Sequence, residues 1–448
     1  MPPRPQLGWW AALSLCVIAG TVLLGDVDRF ENPQGEKHVY QYGEGQVDFS
    51  YTYLSARALL AGVNPYRHDR PEFTSGIWRP SDYGGYKQIY PPGSILMQVP
   101  LVWWKGTDWG AAAQIWFRLS LVALVVLAVI TWTLAVRILG MPLSPMWIPF
   151  LLVCLALNTG VEMALERGQS DIVVALLAWG AVACFLRGRP GASVFLAMWG
   201  VSIKGYPLPL AGGLFLLSLD KRPRKYLLCG AAAGLVVFVL PVWSYWRDAL
   251  RAARVRTDIF WAVWYNHGFG SAVYSFAPAW REKGRLILSV FALVVTIAAW
   301  WQCRRALTRG VPGGSALWVV SFATAALGMM IGYPSLSISY NLVLVLPGIL
   351  LLVASQERLR RALAGPNWTE HAIGAALLAT STLLFTFRLG GDGPPGDGTG
   401  APSSAFGLVG LFLFLAGVLA RALLRRKDFT RAPGKKPPIR TAPSARAL

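Results

Sequence analysis

An acidic residue follows the first hydrophobic segment of the chain and opens the stretch DFSYTYLSARALLAG, residues 48–62. Asp48 stands where the N-cap of a helix would lie, and Gly62 stands where that helix would stop. One face of this helix carries apolar residues at helical spacing, namely Phe49, Tyr53, Ala56 and Leu60. A carboxylate held by such a helix could act as a general base and remove a proton from a hydroxyl nucleophile. A helix cap without a chemical role explains the same pattern, and the spacing leaves both interpretations open.

A second polar stretch, ERGQSD at residues 166–171, lies between two apolar segments. It supplies three candidate substrate contacts, Glu166, Arg167 and Gln169. Charged residues between membrane helices are costly unless they line a wet cavity or pair with each other. The stretch therefore predicts either a polar binding site or a cluster of charges that only caps the two helix ends.

A third polar stretch, KGYP at residues 204–207, interrupts another apolar segment. The ammonium group of Lys204 suits a phosphate or pyrophosphate group on a lipid, and Tyr206 could contact the same substrate. A lysine that only extends toward the membrane surface explains the position equally well.

The remaining candidates lie in two loops near residues 246–283 and 332–340. Three arginines of the first loop share a helical face and could hold anionic head groups or the phosphate of a lipid-linked donor; they are Arg247, Arg251 and Arg254. Asn266 and His267 follow, although a lone histidine is more often a bystander than a base. In the second loop, the hydroxyls of Tyr333 and Tyr340 could line a sugar pocket or merely bind helix carbonyls.

The composition is that of a membrane protein. The chain has 448 residues, of which 54% are hydrophobic and 14% are charged, whereas soluble domains carry about 25% charged residues. The net charge of +20 would suggest nucleic acid as the partner of a soluble protein. Here the positive residues fall in short loops and in the tail, a pattern typical of topology signals and anionic lipid contact. We therefore predict a membrane partner and no nucleic acid.

The sequence offers no recognisable metal or cofactor motif. The five cysteines all lie in apolar runs without a CxxC pair, and no Gly-rich phosphate loop or DxD carboxylate pair is present. We therefore predict no metal site and no cofactor, and we expect any activated substrate to arrive within the membrane.

The apolar segments predict an all-α polytopic membrane protein with about 12 transmembrane helices and both ends in the cytoplasm. Segment 191–219 lies between two basic loops, so it must enter and leave on one side, and its glycine and prolines predict a break at 202–209. Segment 93–104 is too short to span comfortably and predicts an interfacial or re-entrant helix. A large first extracytoplasmic loop, 26–109, would contain the interfacial helices.

This threading gives one polytopic domain, residues 1–425, and a basic disordered cytoplasmic tail, residues 426–448. It also brings the polar stretches to the outer face of the membrane.

Several of these stretches together resemble glycosyltransferase family 87 over about residues 8–355, in matching order. They are DFSYTYLSARALLAGVNPY, YPPGSILMQVPL, the region from ERGQSD to KGYPLPL, and PSLSISYNLVLVLPGILLL. Members of this family are bacterial polyprenyl-phosphate-mannose-dependent α-mannosyltransferases with the GT-C membrane fold. The resemblance implies metal-independent, inverting transfer of a sugar, with mannose as the expected sugar, to a hydroxyl of a glycolipid or glycan acceptor. It places the reaction at the outer face of the bacterial cytoplasmic membrane.

The resemblance also implies roles for two residues. Asp48 matches the aspartate in the family's first loop, the base, and Lys204 matches the lysine of the K-x-YP motif, which would contact the donor phosphate. The chain departs from the family where Arg167 replaces the first residue of an N-G-Q turn, and where YNHGFGS, 265–271, replaces an Asn-x-Ser stretch. A lipid-linked sugar is therefore a firmer expectation than mannose.

Two other classes of protein fit parts of the pattern. A transporter or flippase of lipid-linked saccharides would bury ionisable residues near the middle of the membrane, often within related repeats. A catalytically silent assembly subunit would tolerate the loss of Asp48 and Lys204. The clustering of polar residues at one face favours the enzyme.

Overall fold

The structure is a computed structural model in which the described part of the chain is helical and contains no strand. It describes residues 47–66, 91–106, 108–138, 148, 151–152, 155, 158–219, 224–252, 269, 273, 277–309, 314–333, 339–355 and 408–419. Its α-helices are α1 (Val47–Leu60), α2 (Pro92–Leu96), α3 (Val99–Lys105), α4 (Trp109–Thr133), α5 (Thr159–Glu166), α6 (Asp171–Leu186), α7 (Pro190–Ile203), α8 (Leu208–Ser218), α9 (Arg224–Val239), α10 (Trp246–Ala252), α11 (Arg281–Thr308), α12 (Gly314–Gly332), α13 (Leu346–Ala354) and α14 (Leu408–Leu419).

Three apolar stretches within these helices are long enough to cross a membrane, namely Gly110–Val136, Arg281–Thr308 and Ser315–Gly332. The shorter apolar helices α6 and α8 pack beside them, and α7 packs against α6 and α8. The prediction of an all-helical membrane protein is confirmed, while the count of about 12 crossings stays a prediction. The predicted tail, 426–448, lies outside the described residues.

The predicted break in segment 191–219 is confirmed. Helix α7 ends at Ile203, Lys204 is extended with φ −145° and ψ 136°, and α8 begins after Pro207. Proline fits this position because the first residues of a helix need no N–H donor. The break therefore turns the backbone out of helical geometry where the lysine lies.

Segment 93–104 folds as two short helices, α2 and α3, which meet at Met97 and Gln98. The indole rings of Trp103 and Trp104 are exposed, and Lys105 Nζ lies 4.8 Å from the centre of the Trp104 ring. Tryptophans of this kind are common at membrane–water interfaces. The interfacial location of the two helices stays a prediction.

Helix α1 begins two residues earlier than expected, since an N-cap at Asp48 would make Phe49 its first residue. Because it begins at Val47, Asp48 lies in the first turn, and the prediction that Asp48 is the N-cap is wrong. The end of the helix agrees with the sequence: the Val63 N–H donates to the Ala58 oxygen at 2.8 Å, and Gly62 has φ 72°. This left-handed position favours glycine at the end of a helix.

The predicted apolar face of α1 is buried along most of its length. Phe49, Tyr53 and Ala56 are fully buried, whereas Leu60 at the end of the helix is 44% exposed. The buried part packs against α2, α3 and α4. Asp48 is thus held at one end of a helix that the neighbouring helices fix in place.

Two adjacent glycines in α8 provide a test of the packing between α8 and α12. A Cβ on Gly213 would lie 2.1 Å from the ring of buried Phe322, whereas a Cβ on Gly212 would meet nothing within 4 Å. We expect Gly213→Ala to destabilise the protein by about 1–3 kcal/mol, since overpacking forces side chains from their rotamers. Gly212→Ala should be neutral or slightly stabilising. The melting temperatures of the two purified variants check this, and equal values would contradict the packing described here.

Candidate active site

Four segments meet around a buried polar cluster. They are the first turn of α1, the junction between α2 and α3, the turn 167–170 between α5 and α6, and the break after α7. The cluster contains Asp48, Arg167, Gln169, Asp171 and Lys204. These polar residues pair with each other, which offsets the cost of placing charges among apolar helices.

Arg167 connects the turn to helix α1 in two ways. Its Nε–H donates to Asp48 Oδ2, and its carbonyl oxygen accepts hydrogen bonds from the N–H groups of Asp48 at 3.1 Å and Phe49 at 3.2 Å. The first N–H groups of a helix have no partner inside the helix. A backbone carbonyl supplies that partner here, which leaves the Asp48 carboxylate for the arginine side chain.

Lys204 connects the break to the same turn. Its Nζ donates to Gln169 Oε1 at 2.8 Å and to Asp171 Oδ2 at 2.6 Å, and the residue is only 4% exposed. The alternative in which this lysine extends toward the membrane surface is therefore wrong. A buried ion pair needs such further hydrogen bonds, because removing both charges from water is costly.

The backbone of the turn is fixed from a third side. Gly168 has φ 64°, and its carbonyl oxygen accepts a hydrogen bond from Trp116 Nε1 of α4 at 3.0 Å. The Trp116 ring also stacks on Phe49, with ring centres 6.1 Å apart. Glycine allows the left-handed backbone that this turn requires. The long helix α4 thereby positions both the turn and the residue next to Asp48.

Tyr206 lies in the turn after Lys204, outside the three long apolar helices. Its side chain forms a hydrogen bond with Asn341, and burial raises the pKa of its phenol, with the charge of Asp171 adding to the effect. Tyr206 therefore stays protonated and able to donate. The sequence did not single out Asn341, which is buried in the short 3₁₀ helix Ser339–Leu344.

A small cavity lies beside the carboxylate of Asp48. It leaves about 10 Å³ for water, roughly the space of one molecule. Its lining residues are Asp48, Thr52, Ser94, Met97, Gln98, Gly168, Gln169 and Ser170. A whole sugar does not fit within this volume, so a sugar would have to widen the cavity. The exposed edge of the cluster is Arg167, whose side chain is 27% exposed.

The other predicted contacts have different outcomes. Glu166 is the last residue of α5 and Tyr340 lies in the 3₁₀ helix, but the side chains of both fall outside the described part. Tyr333 lies exposed at the end of α12, where its ring is 5.9 Å from the guanidinium of Arg285, and it does not line the cavity. Three candidates lie outside the described residues: Arg254, Asn266 and His267.

Sequence reasoning missed several residues that line the cavity, among them Thr52, Ser94 and Gln98. The last two belong to YPPGSILMQVPL, which carried part of the family resemblance, so that stretch was the available signal. Within the described ranges, no group of three or more His, Cys, Asp and Glu residues is arranged to hold a metal ion.

A membrane protein whose described residues are helical, and in which a carboxylate lies beside a small polar cavity and pairs with an arginine, has the features of a membrane-embedded enzyme. The sequence model of glycosyltransferase family 87 matches residues 89–334, more than half of the chain. The chain belongs to glycosyltransferase family 87 and is a membrane glycosyltransferase. A search of curated proteins gives no match. The matched region contains the turn at Arg167 and the break at Lys204, and it begins after Asp48, which joins the site through Arg167.

Proposed function

We propose that the protein transfers a sugar from a polyprenyl-phosphate donor to a hydroxyl of a glycolipid or glycan acceptor. The expected sugar is mannose. The reaction takes place at the outer face of the bacterial cytoplasmic membrane. Family membership supports the transfer of a sugar, and the threading of basic loops supports the outer face. The observation that carries the proposal is the Asp48 carboxylate, which pairs with Arg167 and lies beside a small polar cavity that Gln169 also lines.

In the proposed reaction, Asp48 takes the proton of the acceptor hydroxyl as its oxygen attacks the anomeric carbon of the donor. The bond from that carbon to the phosphate oxygen breaks, and its electron pair leaves with the lipid phosphate. A single displacement inverts the configuration, so a β-linked donor gives an α-linked product. One base is sufficient for this reaction, and no covalent intermediate on the protein is required.

Arg167 is the proposed first contact of the donor phosphate. Its guanidinium is the more exposed of the two cations in the cluster, and arginine matches phosphate geometry with two parallel hydrogen bonds. A phosphate that attracts Arg167 would loosen its bond to Asp48 when the donor is present. Donor binding would thus prepare the base.

Lys204 as a direct contact of the phosphate stays a prediction, because that contact requires its pair with Asp171 to open. The closed pair supports a second role in which Lys204 holds Gln169 against the cavity. Tyr206 beside it stays a proposed substrate contact. The loop residues Arg254 and His267, with Asn266 between them, stay proposed contacts of the donor or acceptor.

The test is sugar transfer from radiolabelled polyprenyl-phosphate-mannose in membranes from a strain that lacks its own copy but keeps its acceptors. We expect the wild-type protein to form a labelled, α-linked product, and we expect EDTA to leave the rate within about twofold, since protein groups alone supply the charge stabilisation. The matched control is the same membrane without the protein.

Loss of transfer in EDTA that Mg²⁺ or Mn²⁺ restores would overturn the metal-independent reaction. Transfer from polyprenyl-phosphate-glucose in place of mannose would correct only the sugar. Absence of product together with movement of labelled lipid across the bilayer would identify a flippase instead.

A further inference from the structure

One lining residue of the cavity has a buried polar atom to which no described residue donates a hydrogen bond. Gln98 is 1% exposed, and its Oε1 is buried without a hydrogen bond from any described residue. Buried polar side-chain atoms are nearly always hydrogen-bonded, so each exception calls for an explanation. The hydroxyls of Ser193 and Ser289 are also unpartnered, but neither residue lines the cavity.

The cavity presents hydrogen-bond acceptors to its contents. The hydroxyl of Thr52 donates to the Phe49 carbonyl oxygen at 2.9 Å, and the hydroxyl of Ser94 donates to the Pro91 carbonyl oxygen at 2.7 Å. Each hydroxyl therefore has only its lone pairs left for the cavity. The Asp48 carboxylate and Gln98 Oε1 are acceptors as well. A ligand group that donates hydrogen bonds and is about the size of one oxygen atom fits these four acceptors.

Gln98 is held rigidly on the element that carries it. Its carbonyl oxygen accepts hydrogen bonds from the N–H groups of Leu101 and Val102, both at 3.0 Å. The preceding helix α2 lies directly on the end of α7, because a Cβ added to Gly93 would come within 2.4 Å of Ser202 Oγ. Ser202 is two residues before Lys204. The backbone that carries Gln98 is therefore fixed relative to the site, as the support of a group that selects a substrate must be.

We infer that the cavity is a subsite for one carbohydrate hydroxyl, which donates a hydrogen bond to Gln98 Oε1. The inference rests on the proposed function and adds a specificity-determining residue to it. The hydroxyl belongs either to the donor sugar or to the acceptor, because both present the same chemistry beside Asp48. A site built to bind a hydroxyl rejects an analogue that lacks it, because a buried polar atom is then left unpaired.

The experiment compares Gln98→Leu and Gln98→Met with the wild type, using polyprenyl-phosphate-mannose and its 2-, 3-, 4- and 6-deoxy forms. We expect the substitutions to lower kcat/KM for the parent donor about 10- to 100-fold. Rates are normalised to folded protein by size-exclusion chromatography, and each variant is judged by its ratio of parent to deoxy rates. Ser193→Ala is the matched control, since it removes a buried unpartnered hydroxyl away from the cavity, and it should change no rate more than twofold.

Two results support the subsite and identify its source. If the hydroxyl belongs to the donor, one deoxy donor lacks it and cannot form the hydrogen bond to Gln98. The substitutions then lower the rate with that donor less than twofold. If it belongs to the acceptor, all donors lose rate alike, while hydrolysis of the donor by water is unchanged.

Two results overturn the subsite. Rates within twofold of Ser193→Ala for every donor would show that Gln98 contacts no substrate. Equal losses for all donors and for hydrolysis would show that the cavity holds only a structural water. A wild-type protein that transfers no sugar would overturn the proposed function and this subsite with it, whereas the first two results overturn the subsite alone.

Discussion

Replacing Asp48 with asparagine is expected to lower sugar transfer by roughly 100- to 10,000-fold, the range that a general base contributes. Asparagine has nearly the same shape, and its side-chain oxygen can still accept the hydrogen bond from Arg167 Nε. The backbone contacts between Asp48 and the Arg167 carbonyl oxygen do not involve the side chain at all. The substitution thus removes the proton acceptor while the helix keeps its attachment. Transfer from labelled polyprenyl-phosphate-mannose measures the loss.

A second aspartate provides the matched control. Asp108 is exposed at the N-cap of α4, where its carboxylate accepts a hydrogen bond from the Ala111 N–H at 3.0 Å. Asparagine caps helices about as well as aspartate, so Asp108→Asn should transfer sugar at the wild-type rate. Equal transfer by Asp48→Asn and Asp108→Asn would reduce Asp48 to a residue that only attaches α1 to the turn.

Replacing Lys204 with methionine is expected to destabilise the protein by about 3–5 kcal/mol, because it removes the cation that faces a fully buried carboxylate. Methionine keeps the length of the side chain, so the loss of packing is small. Removal of the ammonium also removes the hydrogen bond that Lys204 Nζ donates to Gln169 Oε1. The midpoint of thermal unfolding, followed by tryptophan fluorescence in detergent, checks the prediction.

The double variant Lys204→Met/Asp171→Leu tests whether the lost stability of Lys204→Met comes from the carboxylate that it leaves unpaired. Buried ion pairs can often be replaced by apolar residues of similar volume at little cost, so the double variant should regain most of the stability that Lys204→Met loses. An exposed pair serves as the control: Glu282→Gln breaks the 2.9 Å contact with Arg285 on the surface of α11 and should change stability little. A double variant as unstable as Lys204→Met would contradict the importance of the pair.

Local patterns in the sequence predicted the elements of the site well. Glycine, proline or polar residues interrupt otherwise apolar segments at the end of α1, at the turn near Arg167 and at the break at Lys204. At each place they end a helix or turn the backbone. Such signals act within a few residues of the chain. They describe where a helix begins and ends and which of its faces is apolar.

The partners of these residues could not be predicted in the same way. Asp48 and Arg167 are 119 residues apart, and Lys204 and Asp171 are 33 apart, so no helical spacing relates them. The residue type of Asp48 predicts an N-cap, but the distant carbonyl oxygen of Arg167 accepts hydrogen bonds from the first N–H groups of the helix instead. The stretch around Gln98 carried part of the family resemblance, but its residue type and spacing did not single it out, since the cavity that it lines is formed by other segments as well.

The attachment of Asp48 to Arg167 also sets an order of events during protein synthesis. The first turn of α1 receives its backbone partners from a residue that the ribosome adds 119 positions later. At the usual 5–20 residues per second, this is a delay of roughly 6 to 24 seconds. During that interval the nascent chain carries Asp48 without the turn that orients it, so the carboxylate acquires its environment only as the later helices enter the membrane.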